Sequence, residues 1–344
     1  MKAALFDGKG RVEVGSVPKP VTDEHEVLIK TRAAGICGSD LHIFAGHWAP
    51  SGPTSSLVLG HELSGVVEDV GEGVEGIKIG LPVTIEPNIL CGECFYCRTS
   101  ERNHLCEKRK VIGFSPGYGG GFAEYCKAPA RNVYAIPDGL DLEAAALAEP
   151  VGCAIRGIDN SGLRSGEKVV VIGAGPMGLI LVQLLQLQGA SEIVVADILD
   201  QRLQMAEVFG ATHTVNTRTQ KLRDVVNSRT SGRGADLVID AVGDPLVVEE
   251  AIKLARRGGR VSIFGLSPEN AEARISPYEI YWKELQITSA FTCPFTVQRA
   301  IDLLASGVLN WEKLITHRFK LDDVAQAFDT AMKDASRVKV IIYQ

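Results

Sequence analysis

The chain has 344 residues, of which 45% are hydrophobic and 23% are charged, so it is long enough to form two domains with buried cores. Its formal net charge of −6 argues against a nucleic-acid groove or an anionic membrane surface as a partner, because both attract basic patches. A local basic patch is still compatible with that average.

No segment has the composition of a membrane span. The most apolar run, residues 169–187, is interrupted by three glycines, one proline and two glutamines. The N-terminus reaches Asp7 before the apolar core of a signal peptide can form. We therefore expect a cytoplasmic protein whose eight cysteines are thiols rather than disulfides.

The first 140 residues contain short β-like runs separated by glycine turns, such as residues 27–31 and 64–70. Few long helical patterns occur in this part of the chain. The composition predicts an irregular, mostly-β domain.

Four cysteines are concentrated in one short loop of this domain, at Cys91, Cys94, Cys97 and Cys106. Four thiolates suit a structural zinc ion, and a site with four protein ligands has no open position for a substrate. An alternative is a zinc-ribbon module that binds nucleic acid or protein. The single loop, in place of two separate knuckles, and the acidic chain argue against that alternative.

The pattern changes near Asp141. A helical pattern covers residues 142–157, and from residue 168 apolar strands alternate with helices. Runs that are apolar on both faces predict a parallel sheet covered on both sides. We assign residues 146–289 to a doubly wound domain and residues 1–145 with 290–344 to the mostly-β domain, since a terminal strand over 338–342 could return to the first sheet.

A glycine-rich turn follows the apolar strand 169–172 and opens a helix. Within it, Gly173 permits a tight turn, Gly175 lets a pyrophosphate approach the backbone, and Gly178 allows close packing of helix and strand. The remaining residues that we expect to bind the cofactor at the helix N-terminus are Pro176 and Met177.

Asp197 ends the next predicted strand, at the offset expected for the acid that binds the cofactor ribose. A carboxylate there repels a 2′-phosphate, and Ile198 follows it rather than an arginine, so the pattern favours NAD. Arg202 leaves NADP as an alternative. The second alternative is that the glycine-rich turn binds no nucleotide.

Two further motifs lie in the first domain. They are Ala34-Gly35-Ile36-Cys37-Gly38-Ser39-Asp40-Leu41-His42 and Gly60-His61-Glu62-Leu63-Ser64-Gly65. With the cysteine loop and the glycine-rich turn, they resemble the zinc-containing medium-chain dehydrogenases over essentially the whole chain. The resemblance implies an α/β protein with a GroES-like, mostly-β catalytic domain and a Rossmann domain.

The same resemblance implies a second, catalytic zinc site. Cys37 and His61 would be ligands, and Glu62 an outer or exchangeable ligand with a role in catalysis. The segment around Glu149-Pro150 is similar to the polyol branch of sorbitol, butanediol and threonine dehydrogenases, which makes Glu149 the candidate third ligand. Ser39 and His42 match the family's proton relay.

The implied function is hydride transfer between NAD and a polyol, sugar alcohol or similar secondary alcohol, with two Zn²⁺ per chain in a homodimer or homotetramer. A bound zinc ion would stabilise the alkoxide from which the hydride leaves. A threonine-type amino-alcohol dehydrogenase is the nearest alternative. A catalytically inactive nucleotide-binding scaffold is a remote one.

The segments that we expect to line a substrate cleft between the two domains are mixed in character. Sorbitol dehydrogenases commonly carry an arginine where this chain has Thr292, so sorbitol itself is not favoured. The apolar candidates are Phe44, Trp48, Phe114 and Phe291, and the polar ones are Ser39, Glu62, Ser115, Tyr118, Glu149 and Thr292.

Overall fold

The computed structural model describes residues 1–7, 10–46, 57–99 and 102–344. Trp48 lies outside the described residues. The chain divides into two compact units, one formed by Met1–Gly152 with Thr292–Gln344 and the other by Cys153–Phe291. No helix within the described ranges is both long and apolar enough to cross a bilayer.

The elements are numbered along the chain. The strands are β1 (Lys2–Phe6), β2 (Val12–Ser16), β3 (Glu26–Gly35), β4 (Glu62–Val70), β5 (Pro82–Ile85), β6 (Asn88–Ile89), β7 (Lys110–Val111), β8 (Tyr125–Pro129), β9 (Val133–Ala135), β10 (Lys168–Ile172), β11 (Glu192–Asp197), β12 (His213–Asn216), β13 (Ala235–Asp240), β14 (Ala255–Ile263), β15 (Gln286–Ser289), β16 (Ile315–Lys320) and β17 (Lys339–Tyr343). The helices are α1 (Gly38–Phe44), α2 (Phe95–Arg98), α3 (Leu142–Ala146), α4 (Ala148–Ser161), α5 (Pro176–Leu187), α6 (Asp200–Val208), α7 (Leu222–Arg229), α8 (Pro245–Leu254), α9 (Pro277–Lys283), α10 (Val297–Ala305) and α11 (Val324–Lys333).

The first unit is built on a sheet in the order β16-β17-β3-β4-β5-β9, with β8 also paired to β3. The late strand β17 runs antiparallel to β3, so the end of the chain completes the sheet that its beginning starts. Gly65 is required where β3 and β4 approach, because a Cβ there would lie 2.2 Å from the Lys30 carbonyl oxygen. An aromatic core includes Phe6, Phe122 and Phe328, the last contributed by α11.

The second unit contains a six-stranded, fully parallel sheet in the order β12-β11-β10-β13-β14-β15. Counted from β10, this is the 3-2-1-4-5-6 order of dinucleotide-binding folds, whose ligands bind outside the carboxyl ends of the strands where the order reverses. Central strands are buried on both faces, as their continuous apolar runs require. The predicted α/β class, a mostly-β domain plus a Rossmann domain, is confirmed.

One element differs from the sequence expectation. The single helix expected over 142–157 is two helices, α3 and α4, that are separated at Leu147. Pro150 has no backbone N–H to donate to Ala146, so a continuous helix cannot pass through this point, whereas proline is tolerated in the first turn of α4. The interruption places Glu149 in that first turn.

Candidate active site

Four cysteine thiols lie together in the first unit, around the short helix α2. The sulfur atoms of Cys91, Cys94, Cys97 and Cys106 are all within 4.8 Å of one another, and none forms a disulfide. The backbone amides of Glu93 and Cys94 donate to Cys91 Sγ, which lowers the pKa of that thiol by favouring its thiolate form. Four thiolates at these separations fit a closed, tetrahedral zinc site.

A second group of possible metal ligands consists of Cys37, His61 and Glu62, whose ligand atoms also lie within 4.8 Å of one another. Cys37 caps the N-terminus of α1, and His61 directly precedes β4, where Glu62 is the first residue. His61 and Glu62 are buried, and the Phe114 ring packs 4.6 Å from the imidazole, centroid to centroid. A thiolate, an imidazole and a carboxylate suit zinc, and three ligands leave a position open for water or substrate.

Asp40 holds two of these ligands in place. Its Oδ2 accepts a hydrogen bond from the backbone amide of Cys37 at 2.9 Å, and its Oδ1 lies 3.6 Å from His61 Nδ1. Burial lowers the pKa of His61, but the Asp40 carboxylate and the Cys37 thiol outweigh it and raise that pKa well above its usual value. A carboxylate beside Nδ1 directs Nε2 towards a metal.

Glu62 forms a buried ion pair with Lys339 of β17. Neither side chain is more than 4% exposed. Gly35 leaves the necessary space, since a Cβ there would lie 2.2 Å from Glu62 Oε2 and 2.9 Å from Lys339 Cε. Burial lowers the pKa of Lys339, but the charges of Glu62 and Cys37 raise it to a net value above the ordinary one, so the lysine stays protonated.

Glu149 is buried and accepts a hydrogen bond from the Cys293 thiol, with 3.7 Å between Sγ and Oε1. It is not among the three ligands grouped around His61. Its role as the third protein ligand therefore stays a prediction. The backbone around Cys293 is unusual. Thr292, directly before it, and Phe295, two residues after it, are non-glycine residues in the left-handed region, each with φ 60°.

Ser39 and His42, the expected proton relay, both lie on α1 and are half-buried. Residues three positions apart on a helix share a face. The relay itself stays a prediction. Two other polar residues that we expected in the substrate pocket make hydrogen bonds within the first unit: the Tyr118 hydroxyl donates to Glu26 Oε1, and Ser115 Oγ accepts from the Val111 amide. Their place in the pocket stays a prediction.

In the second unit, the glycine-rich turn stands at the carboxyl end of β10. Gly173 has φ +106°, and a Cβ at Gly178 would lie 1.9 Å from the Gly173 carbonyl oxygen, so both positions require glycine. Gly175 caps α5, which begins with Pro176 and Met177 and leaves its first amides directed beyond the helix end.

Asp197 at the end of β11 is fixed by backbone amides. Its Oδ2 accepts from Ala174, while its Oδ1 accepts from Ile198 and Leu199, at 2.7–3.0 Å. Arg202 Nη1 lies 4.0 Å from Asp197 Oδ2. The turn and this acid thus meet at adjacent carboxyl strand ends, which is the arrangement that dinucleotide binding requires.

Three residues of this region were not recognised in the sequence. The sequence does contain an indication for Asp40, because an acidic residue three positions after a helix N-cap is typical of a capping box. Lys339 had a weaker one, a lysine within an apolar strand. Nothing near Cys293 in the sequence indicates that it contacts Glu149.

Comparisons with known proteins agree with this geometry. Residues 23–138 match the family model of the alcohol dehydrogenase GroES-like domain, and residues 176–306 match that of zinc-binding dehydrogenase. A sorbitol dehydrogenase of Bacillus subtilis (strain 168) is 33% identical over 100% of this chain and 97% of its own length. An L-threonine 3-dehydrogenase of the same organism is 36% identical over 99% and 98%.

A solved structure of a zinc-binding dehydrogenase from Sinorhizobium meliloti 1021, bound to NADP, has 33% identity and a TM-score of 0.94. The match covers 100% of this chain and 99% of that one.

The buried ion pair gives a first prediction. The Lys339→Ala variant should lose about 3–5 kcal/mol of unfolding free energy, because it leaves the Glu62 carboxylate buried without a cation. Lys313→Ala, which removes an exposed lysine, should cost far less. Urea unfolding measures both, and Glu62→Gln combined with Lys339→Met should recover part of the loss. Equal stability of the two single variants would contradict the assignment.

Proposed function

The chain belongs to the zinc-containing medium-chain dehydrogenases, in their polyol and threonine branch, and on that premise we propose that it transfers a hydride from a polyol, sugar alcohol or similar secondary alcohol to NAD. The observation that carries the proposal is the group Cys37, His61 and Glu62, of which the last two are buried, because it places two zinc ligands and an exchangeable carboxylate within 4.8 Å of one another.

Each residue of the group has a part in the proposed reaction. Cys37 and His61 would hold the catalytic zinc with Glu149 as the third protein ligand, and Glu62, paired with Lys339, would be an exchangeable ligand at the position that substrate takes. Asp40 would keep the imidazole of His61 oriented. When bound, the zinc ion would supply a Lewis acid that lowers the pKa of the substrate alcohol, and the nicotinamide would supply the hydride acceptor. Ser39 and His42 would carry the released proton to solvent.

Thr292 supports a substrate with neighbouring hydroxyls. Its Oγ1 is buried and has no hydrogen-bond partner among the described residues. Its left-handed backbone is also unfavourable for a β-branched residue, and such strain concentrates at functional sites. A buried hydroxyl without a partner favours a ligand that supplies one.

The proposal of NAD as the cofactor is supported by Asp197, whose fixed carboxylate would accept from the ribose hydroxyls and repel a 2′-phosphate. NADP is the alternative, because Arg202 lies near that carboxylate and the Sinorhizobium meliloti relative binds NADP. We also propose that the units are the catalytic and NAD-binding domains, with boundaries near 145 and 290. The assembly would be a homodimer or homotetramer in the cytoplasm, where cysteine thiols stay reduced.

A threonine-type dehydrogenase is the second candidate. It is favoured by the 36% identity with L-threonine 3-dehydrogenase over nearly the whole chain. L-Threonine would present an amine beside the reacting hydroxyl, where a polyol presents a second hydroxyl. A substrate panel that contains both classes distinguishes the two.

The two metal sites should exchange zinc at different rates. Purified protein should contain two zinc ions per chain. A chelator should first remove the ion of the open Cys37 site, and enzyme activity should be lost with it; the ion of the closed four-cysteine site should leave more slowly. Elemental analysis during chelation measures this, and Cys106→Ser should abolish only the slow phase. Active protein with one zinc ion or none would refute the assignment.

The cofactor prediction concerns Asp197. Replacement of Asp197 with serine, together with Ile198→Arg, should raise kcat/KM for NADP relative to NAD, because a carboxylate that repels the 2′-phosphate is exchanged for a cation that binds it. Ile198→Arg alone is the matched control and should have a smaller effect. A wild-type preference for NADP would show that the role given to Asp197 is wrong.

The substrate prediction compares a matched pair of alcohols, 2,3-butanediol and 2-butanol. The diol should have the higher kcat/KM, since a site built to bond hydroxyls discriminates against analogues that leave its buried polar groups unpaired. Thr292→Val, which keeps the side-chain shape, should lower kcat/KM for the diol by about tenfold and leave the monohydric alcohol nearly unchanged. Equal efficiency with both alcohols, and no better polyol, would refute the polyol assignment.

A further inference from the structure

The second unit contains a cavity of about 320 Å³ whose charged lining is entirely cationic. Its six charged residues, which we call the basic cavity, are Arg223, Arg233, Lys253, Arg256, Arg257 and Lys283. A second cavity, of about 400 Å³, adjoins it through Arg233, Gly234 and Arg256 and has a mixed lining that adds Arg164, Lys168 and the acidic Glu167 and Asp236. In a chain with a formal net charge of −6, the basic cavity is a local reversal of sign.

The basic cavity lies at the edge of the sheet opposite to the proposed dinucleotide site. Its residues precede or begin strands: Arg233 comes just before β13, and Arg256 and Arg257 open β14. Gly173 and Asp197, in contrast, stand at carboxyl strand ends. Because the sheet is parallel throughout, the amino ends and the carboxyl ends of its strands lie at opposite ends of the sheet. NAD binding at the carboxyl ends therefore does not account for the cations at the amino ends.

Three of the six cations have local anionic partners. Arg256 Nε lies 2.5 Å from Asp236 Oδ1, and Lys283 Nζ lies 2.9 Å from Glu279 Oε1. The third pair, between Lys253 and Glu250, is longer at 4.0 Å. Within the described parts of the chain, no ion pair involves Arg223, Arg233 or Arg257.

Helix capping accounts for the lysines and for Arg233, whose Nε donates to the carbonyl oxygen of Thr230 at the C-cap of α7, but not for Arg223 or Arg257. Lys283 Nζ donates to the carbonyl oxygens of Ile252 and Lys253 in the last turn of α8, where cations are favoured. Arg223, by contrast, lies in the first turn of α7, where the helix dipole disfavours a cation. Arg257 belongs to a strand, and its guanidinium lies 5.2 Å from the ring centroid of Trp282.

We propose that the basic cavity is a binding site for a small polyvalent anion of the oligophosphate class. Guanidinium groups donate paired hydrogen bonds to phosphate oxygens, and a phosphate ligand would relieve the repulsion among the three arginines that lack acidic partners. The volume suits a compact ligand, since small-molecule sites begin at about 300 Å³. Nothing in the proposed hydride transfer uses this site, so the proposal stands apart from it.

The test is a calorimetric titration of the zinc-loaded protein with inorganic pyrophosphate, in the presence of saturating NAD so that the dinucleotide edge is occupied. Wild type should bind, and added salt should weaken the binding. Arg223→Gln with Arg257→Gln should weaken it about tenfold or more, because each lost contact is a charge-assisted hydrogen bond. Lys313→Gln with Lys320→Gln removes the same net charge from exposed positions of the first unit and should leave binding within about twofold.

Both double variants should keep the wild-type melting temperature and rate of alcohol oxidation, which shows that they fold. If the arginine pair does not fold, Arg233→Gln replaces it. Chelation of zinc by pyrophosphate would give the same heat signal in both double variants. A difference between the two variants therefore reports binding at the basic cavity. No binding by wild type, equal binding by both double variants, or binding only of long polyanions such as an RNA 20-mer would overturn the proposal.

Discussion

A buried carboxylate is tolerated only when a cation or strong donors accompany it, and this constraint shapes the first unit. Glu62 stands opposite Gly35 in the pairing of β4 with β3, and Lys339 reaches it from β17 on the other side of β3. The ion pair therefore requires three strands from distant parts of the chain in one register. That register also holds His61, which directly precedes Glu62 at the start of β4.

The candidate site of the first unit consists mainly of side-chain groups, whereas that of the second unit consists mainly of backbone groups. In the first unit, side chains converge, and their charges are balanced by other side chains such as Asp40 and Lys339. In the second unit, the backbone forms the site: amides hold Asp197, and two positions exclude any Cβ. Side-chain charges suit metal and proton chemistry, whereas a backbone cradle suits a phosphate-containing cofactor.

Most of what could be predicted from the sequence about the fold and the site rests on short motifs of neighbouring residues. The glycine-rich turn, the cysteine loop and the alternation of strands with helices depend on near neighbours in the chain, so the fold class followed from the sequence. The Lys339–Glu62 pair and the Cys293–Glu149 contact join residues that are far apart in sequence, and no periodicity encodes such a pairing. The break at Leu147 was missed because the apolar pattern continues through Pro150, where the missing amide decides the outcome.

The discontinuous first unit has a consequence for synthesis of the chain. Residues 153–291 are complete before Phe328 and Lys339 are made, so the second unit can fold while the first still lacks its last strands and helix. Until then Phe122 has no α11 to pack on, and Glu62 has no cation. The nascent first unit is thus an incomplete sheet in which residues 33–35 of β3 lack their β17 partner, while residues 26–30 are already covered by β8, and an unpaired strand segment of this kind favours aggregation.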